Sequence, residues 1–348
     1  MSIPLIDLAD ARVPGAPGSA DAAARLGEAG RGCGFFYVRN HGVPQALVDG
    51  QFALAQRFFD LPAADKQAVD LRHSRAMRGY EAIGTQTLDA DARPDLKESF
   101  YCGIDYPDEH PYVRRGLQSY GANQWPAALP ELAAHSMAYL VALQALAQRL
   151  MQLMALSLAL PEDQFDHTHA NPMVTLRLLR YPPHPPDADD RTFGAGAHTD
   201  WGAITVLAQD GHGGLEVRMP DGGWVAATPI DGCFVVNLGD MVPRWTNGRY
   251  HSNPHRVRNV LSGGAPRHSI PFFYSPDYEA RVAPLPGCVP AGSEPLFAPC
   301  TVGEHLHQMY LKTYSTGTST STSTGAEAEA GVPAANAAAA PATAPAAA

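Results

Sequence analysis

Cysteine is scarce and scattered, with five residues at positions 33, 102, 233, 288 and 300 and no C-x-x-C pair. An odd count at such spacings argues against a disulfide framework or a cysteine zinc site. It fits reduced thiols in a cytoplasmic protein. Basic residues are also short: 25 Lys and Arg face 35 Asp and Glu, for a formal charge of −10. Phosphate backbones need a basic surface, so nucleic acid is not an expected partner. The acidic balance bears mainly on solubility and leaves room for a local cationic pocket. The longest apolar stretches are broken by Gln, Arg and Ser, which argues against a membrane span. Met1-Ser2-Ile3-Pro4-Leu5-Ile6-Asp7 lacks the basic and apolar regions of a secretory signal. No internal repeat stands out. A monomer acting on a small molecule is the expectation.

What is present suffices for a large core: 348 residues, 45% of them hydrophobic. Residues 1–165 hold the best helical candidates. Pro44 to Leu61 reads as a helix carrying Leu47, Phe52, Leu54, Phe58 and Phe59. Pro130 opens a longer one, with Tyr139, Leu143, Leu146, Leu150 and Leu153 on one arc, closed by Pro161. Between them, Gly34-Phe35-Phe36-Tyr37-Val38 is a short β-type run ended by Asn40-His41-Gly42.

Residues 166–314 have a different texture. Short runs rich in Val, Ile, Leu, Thr and Phe recur between Gly, Pro and Asp: Val174–Tyr181, Ala203–Ala208, Gly214–Val217, Trp224–Ala227, Phe234–Leu238, His255–Val260 and Ile270–Tyr274. This spacing predicts a sandwich or barrel rather than a βαβ sheet. Residues 315–348 are Ser/Thr/Gly repeats followed by Ala/Pro runs, a composition that predicts a disordered tail outside the functional unit.

Within the strand-rich region stands the triplet His198-Thr199-Asp200, and later His255 inside Ser252-Asn253-Pro254-His255-Arg256-Val257. Two imidazoles and one carboxylate form the ligand set that holds non-heme Fe(II) on one face, leaving positions open for oxygen and an organic acid. On a strand, residues i and i+2 share a face, so His198 and Asp200 are expected to point together into a barrel. No fourth ligand is evident, unlike a closed structural zinc site. Taken alone, an H-x-D triplet is usually a surface feature and a single His a core residue; joint occurrence in strand-like context carries the metal reading. His184, His212, His251, His268, His305 and His307 are read as non-ligands.

Arg267 and Ser269 follow as R-x-S before Ile270-Pro271-Phe272-Phe273-Tyr274. A planar fork donor with a hydroxyl on the same strand face suits a carboxylate. Arg177, Leu179 and Tyr181 alternate along Thr175–Tyr181, so Arg177 and Tyr181 are placed to reach the same cavity or to pack in its wall.

With these motifs in place, the chain resembles the 2-oxoglutarate- and iron-dependent dioxygenases, in the branch typified by isopenicillin N synthase. The resemblance runs from Ile3 to about Tyr310. It is carried by Ile3–Asp7, Gly34–Pro44, Ala197–Gly202, Phe234–Asp240, Trp245–Tyr250 and His255–Val257. It implies a mainly β fold with flanking helices: a double-stranded β-helix (jelly-roll) core on which the N-terminal region packs. It also implies that His198, Asp200 and His255 ligate iron, and that Arg267 and Ser269 hold the distal carboxylate of 2-oxoglutarate. Tyr181 matches a tyrosine lining the co-substrate or substrate site. Some relatives carry Asn two residues before that tyrosine; here it is Leu179, and Arg177 becomes the substitute candidate.

The implied activity couples oxidative decarboxylation of 2-oxoglutarate, with O2, to oxidation of a small organic substrate. Hydroxylation is the favoured outcome and ascorbate an expected stimulant. Iron oxidases of the isopenicillin N synthase or ethylene-forming type share R-x-S and form the first alternative. A non-catalytic carboxylate-binding barrel forms the second. Arg78-Gly79-Tyr80 and Asp95–Phe100 match family segments near the barrel mouth, where they either shape the pocket or pack the two regions together.

Overall fold

The computed structural model of the protein describes residues 2–315 apart from 90, 186, 187, 190 and 260–263; for 312–315 the backbone alone is described. The strands in chain order are β1 (Leu5–Asp7), β2 (Phe35–Arg39), β3 (Gly79–Glu81), β4 (Glu98–Cys102), β5 (Met173–Tyr181) and β6 (Ala195–His198). There follow β7 (Ile204–Gln209), β8 (Leu215–Arg218), β9 (Trp224–Ala226), β10 (Cys233–Leu238), β11 (His255–Val257) and β12 (Arg267–Ser275), then β13 (Arg281–Val282) and β14 (Cys300–Thr301), which pair with each other. Eight form one sheet in the order β1-β2-β10-β7-β12-β5-β4-β3, and four form a second in the order β6-β11-β8-β9. Every pair in these two sheets is antiparallel except β1–β2.

Alternation along each strand of the large sheet decides what lies on either side. On β5, Val174, Leu176 and Leu178 face a helical layer, while Arg177, Leu179 and Tyr181 face the smaller sheet. The same parity sends Phe36, Val236 and Phe272 toward the helices, and Phe35, Val235 and Asn237 inward. Two apolar cores result. One joins the large sheet to the helices; the other fills the space between the two sheets, with Leu215, Val217 and Val257 contributed by the smaller one. This is the jelly-roll core with flanking helices.

The helices are α1 (Ser19–Arg31), α2 (Gln45–Phe59), the short α3 (Ala63–Ala68) and α4 (Pro111–Arg114), α5 (Glu131–Ser157), the short α6 (Met241–Trp245) and α7 (Val302–Ser315). The two expected helices correspond to α2 and α5, and the predicted arc of α5 is buried from Tyr139 to Leu153. By length and composition α5 could cross a membrane, yet 61% of its apolar window is buried inside this structure. It packs on α1, α2, β7 and β12. The α1 segment is a helix that the run of large apolar residues does not announce. Its buried face is mostly Ala and Gly, with little apolar bulk, and a Cβ at Gly30 would come within 2.9 Å of the Tyr250 ring.

Residues 1–165 do more than pack on the core, because β1 to β4 extend the large sheet at both edges. The expected strand over His255–Val260 ends at Val257, with Val260 outside the described residues. The expected disordered tail lies outside them too, apart from Ser315, which closes α7.

Candidate active site

His198 is the last residue of β6 and His255 the first of β11, and the two are register partners across the antiparallel ladder. Their rings therefore lie 4.3 Å apart, centroid to centroid. The edge of Phe35 packs on His255 at 5.3 Å. Asp200 corrects the strand-face expectation. It lies beyond the end of β6, so a turn rather than strand alternation brings it beside His198. Backbone bonds fix that turn: Asp240 N donates to Asp200 O at 2.8 Å and Gly239 N to Ala203 O at 2.8 Å. A Cβ at Gly239 would sit 2.3 Å from Gly202 O, so only glycine permits this approach.

The three side chains converge. Asp200 Oδ1 is 4.0 Å from His198 Nε2 and 3.8 Å from His255 Nε2. All three donor atoms lie within 4.8 Å of one another, and no fourth His, Cys, Asp or Glu joins the group among the described residues. Their remaining polar atoms are engaged elsewhere. Asp200 Oδ2 accepts from Thr205 Oγ1 at 2.5 Å and from Asn237 Nδ2 at 2.7 Å. His198 Nδ1 faces Gly196 O at 2.7 Å and His255 Nδ1 faces Asn253 O at 3.4 Å. Each carbonyl favours a proton on Nδ1 and leaves the Nε2 lone pair free to bind a metal. Burial, reinforced by His255, pushes the His198 pKa down to about 3, so its imidazole is neutral. Burial opposes charge on Asp200, but His255, His198 and the Asn237 and Thr205 hydrogen bonds outweigh it and hold the carboxyl below its ordinary range. Two imidazoles and an ionised carboxylate with their free donor atoms close together fit a divalent transition metal.

Asn237 orients Asp200 without touching the metal position. Asn237→Ala is expected to lower Fe(II) affinity by roughly 10–100-fold, the range for partners behind a metal ligand. Calorimetric metal titration reads this directly. Unchanged affinity would mean that the Asn237–Asp200 bond contributes nothing to the site.

Beside the trio lies a cleft with about 540 Å³ of non-atom space, partly open to solvent, and Arg177, Tyr181, Arg267 and Ser269 all line it. Arg267 is 1% exposed. Its Nε donates to Gly213 O, its Nη2 to Gln209 Oε1 at 3.1 Å, and its guanidinium rests 4.9 Å above the Tyr181 ring. Nη1 is buried without a hydrogen-bond partner. A buried cation with one edge anchored and one donor unfilled is a site that accepts a carboxylate.

Arg177 is tied to the wall. Its Nη2 donates to Glu81 Oε2 at 3.1 Å, Gln86 Oε1 at 3.1 Å and Ser99 Oγ at 2.8 Å, and it stacks 4.5 Å from the Tyr101 ring. Arg78 packs the interior, donating to Ser119 O and Val174 O. Lys97, in contrast, lines the cleft. Thr205, Asn237, Gln209 and Lys97 are site residues that the motifs do not single out. Asn237 does carry a signal: it interrupts the apolar run Phe234–Leu238 at a buried position.

Two family models match the chain: the non-haem dioxygenase in morphine synthesis N-terminal model over residues 3–128, and the 2OG-Fe(II) oxygenase superfamily model over residues 171–276. A 2-oxoglutarate-Fe(II) type oxidoreductase of Emericella nidulans, hxnY, is 40% identical over 288 residues, covering 81% of each chain. The chain belongs to the 2-oxoglutarate- and Fe(II)-dependent oxygenase superfamily. The clavatol oxidase claD of Penicillium crustosum is 33% identical over 90% of this oxygenase and 97% of its own length. Among solved structures, a full-length Neurospora crassa protein in complex with alpha-KG and thymine has a TM-score of 0.79 at 29% identity, covering 90% of this chain and 97% of that one. A putative 2OG-Fe(II) oxygenase family protein of Caulobacter crescentus has a TM-score of 0.78 at 31% identity, covering 89% and 99%. This oxygenase uses Fe(II), 2-oxoglutarate and O2. It couples decarboxylation of the co-substrate, to succinate and CO2, to oxidation of a small organic substrate.

Proposed function

We propose that the oxidation is a hydroxylation, that His198, Asp200 and His255 ligate the iron, and that Arg267 and Ser269 clamp the distal carboxylate of 2-oxoglutarate. The observation carrying this is the convergence of Nε2, Oδ1 and Nε2 while every other polar atom of the trio is held from behind. Ferrous iron at that point supplies O2 activation coupled to loss of CO2 from the co-substrate. The chain's own residues do the rest. Asp200 stays ionised and the His198 imidazole neutral. Arg267, fixed by Gly213, Gln209 and Tyr181, presents Nη1 to a carboxylate. Leu179, Leu207, Leu215 and Val257 keep water from the reacting centre. Tyr181 serves as the bed of the Arg267 guanidinium, and Arg177 as part of the pocket wall.

A compact substrate agrees with the cleft and with the Neurospora crassa relative, which was solved with thymine. The free cysteines support a reducing, cytoplasmic setting. The acidic balance supports a monomer with neither nucleic acid nor membrane as partner.

The test supplies purified protein with Fe(II), ascorbate and 2-oxoglutarate and follows succinate, alone and with a library of small molecules. The expected result is succinate release stimulated by a subset, whose products gain one oxygen atom. Turnover of a substrate with no 2-oxoglutarate consumed would replace this reading with an iron oxidase of the isopenicillin N synthase type.

A further inference from the structure

Besides Arg267 and Arg177, the cleft holds a third cation, Lys97, which the proposed clamp on the distal carboxylate does not use. Lys97 precedes β4 and shares the inward parity of Ser99 and Tyr101. Its side chain is 3% exposed, yet Nζ has one hydrogen-bond partner among the described residues, the Asp95 carboxylate. Asp95 is itself anchored: its Oδ1 accepts from Gly196 N at 2.9 Å, on the strand that ends in His198. An ammonium carries three N–H donors, so this contact leaves donors unfilled in a place without bulk water. Burial, with the Arg177 guanidinium nearby, pushes the Lys97 pKa down to about 8 despite Asp95. Charge in this wall is balanced, Asp95 beside Lys97 and Glu81 beside Arg177, so what is left over is N–H donors. Arg177 shows the same surplus of donors: Glu81, Gln86 and Ser99 all meet its Nη2, and its buried Nε has no partner.

Lys97 and Arg267 reach the cleft from different strands. Glu98 pairs with Arg180 across β4–β5 and Arg267 pairs with Tyr181 across β5–β12. The two cations therefore belong to strands two spacings apart, about 10 Å. The same cleft is lined by the apolar side chains of Leu88, Leu179, Ala195 and Val257.

Resting on the family assignment and the proposed site, we infer that the primary substrate is a small organic acid whose carboxylate is received by Lys97, with Arg177 beside it, and whose apolar body lies against those four side chains. Lys97 is then a specificity-determining residue. Asp95 is a positioning residue that ties the ammonium to the iron-bearing strand.

The test uses matched probes, benzoate and benzamide, on the full chain loaded anaerobically with Fe(II) and saturating 2-oxoglutarate so that Arg267 is occupied. Calorimetry gives affinities, and the visible absorption of the iron–co-substrate chelate reports whether the probe seats beside the metal. Benzoate is expected to bind more tightly than benzamide in the wild type. Lys97→Met should erase that preference, a loss of about 10–100-fold for a charge-assisted contact, and Lys97→Arg should retain most of it. Because Lys97→Met leaves Asp95 buried and unpaired, the Asp95→Asn/Lys97→Met double variant is measured alongside; Asn keeps an acceptor for Gly196 N. Equal binding of the two probes by the wild type, or a preference surviving in both variants, would overturn the inference. So would loss of 2-oxoglutarate binding in both variants, which would assign Lys97 to the co-substrate. A wild type that forms no chelate with 2-oxoglutarate would instead defeat the underlying site proposal.

Discussion

Asp200→Ala should leave protein that neither retains iron nor releases succinate, a loss larger than the roughly 10–100-fold expected for the partners behind a ligand. Three effects act together. The site loses its single anionic donor, so two imidazoles face a divalent cation without charge compensation. Geometry is lost as well, because the three donor atoms span only 4.8 Å and no other His, Cys, Asp or Glu among the described residues joins them. Finally, Thr205 Oγ1 and Asn237 Nδ2 lose their shared acceptor in a buried setting, a cost of about 1–3 kcal/mol per unsatisfied group. His198→Ala should likewise abolish turnover, but it spares the Thr205 and Asn237 bonds and should be the more stable of the two. Metal content per chain, succinate yield and melting temperature check all three points. Stoichiometric iron with full turnover in either variant would refute the ligand assignment.

The legible part of this site is the part written in short range. His198, Thr199 and Asp200 are adjacent, and R-x-S sits on one strand, so spacing alone suggests shared faces. The convergence is right for Asp200 while the reason is not: β6 stops at His198, and the Asp200 position depends on Gly239 and on Asp240 N, some forty residues away. Long-range partners leave weaker traces. Lys97 stands in a segment placed near the barrel mouth, but nothing local separates it from Arg78, which is spent on carbonyls in the interior. Arg177 is visible as a cavity residue. Its restraint by Glu81, Gln86 and Ser99 is not, because that depends on β3 and β4, short strands whose alternation is too brief to read. The three-residue β1 is not anticipated as a strand, while the nine-residue β5 is legible nearly end to end.

Arg267→Met should raise the KM for 2-oxoglutarate by about 100-fold or more, since a bidentate charge-assisted contact is removed and not replaced. The guanidinium is pre-set for one ligand: Gly213 O and Gln209 Oε1 hold its outer edge, Tyr181 supports its face, and Nη1 is left unpaired. Methionine keeps the apolar contact with Tyr181 but offers no donor. Arg267→Lys keeps the charge yet loses the planar fork, and should fall between the two. A structural defect would weaken every 2-oxo acid alike, so 2-oxopentanoate, which lacks the distal carboxylate, separates the causes. Wild type should strongly prefer 2-oxoglutarate to 2-oxopentanoate. Arg267→Met should use the two about equally, with its use of 2-oxopentanoate little changed. If the variant still prefers 2-oxoglutarate as the wild type does, the distal carboxylate binds elsewhere in the cleft, and the unpaired Nη1 has another purpose.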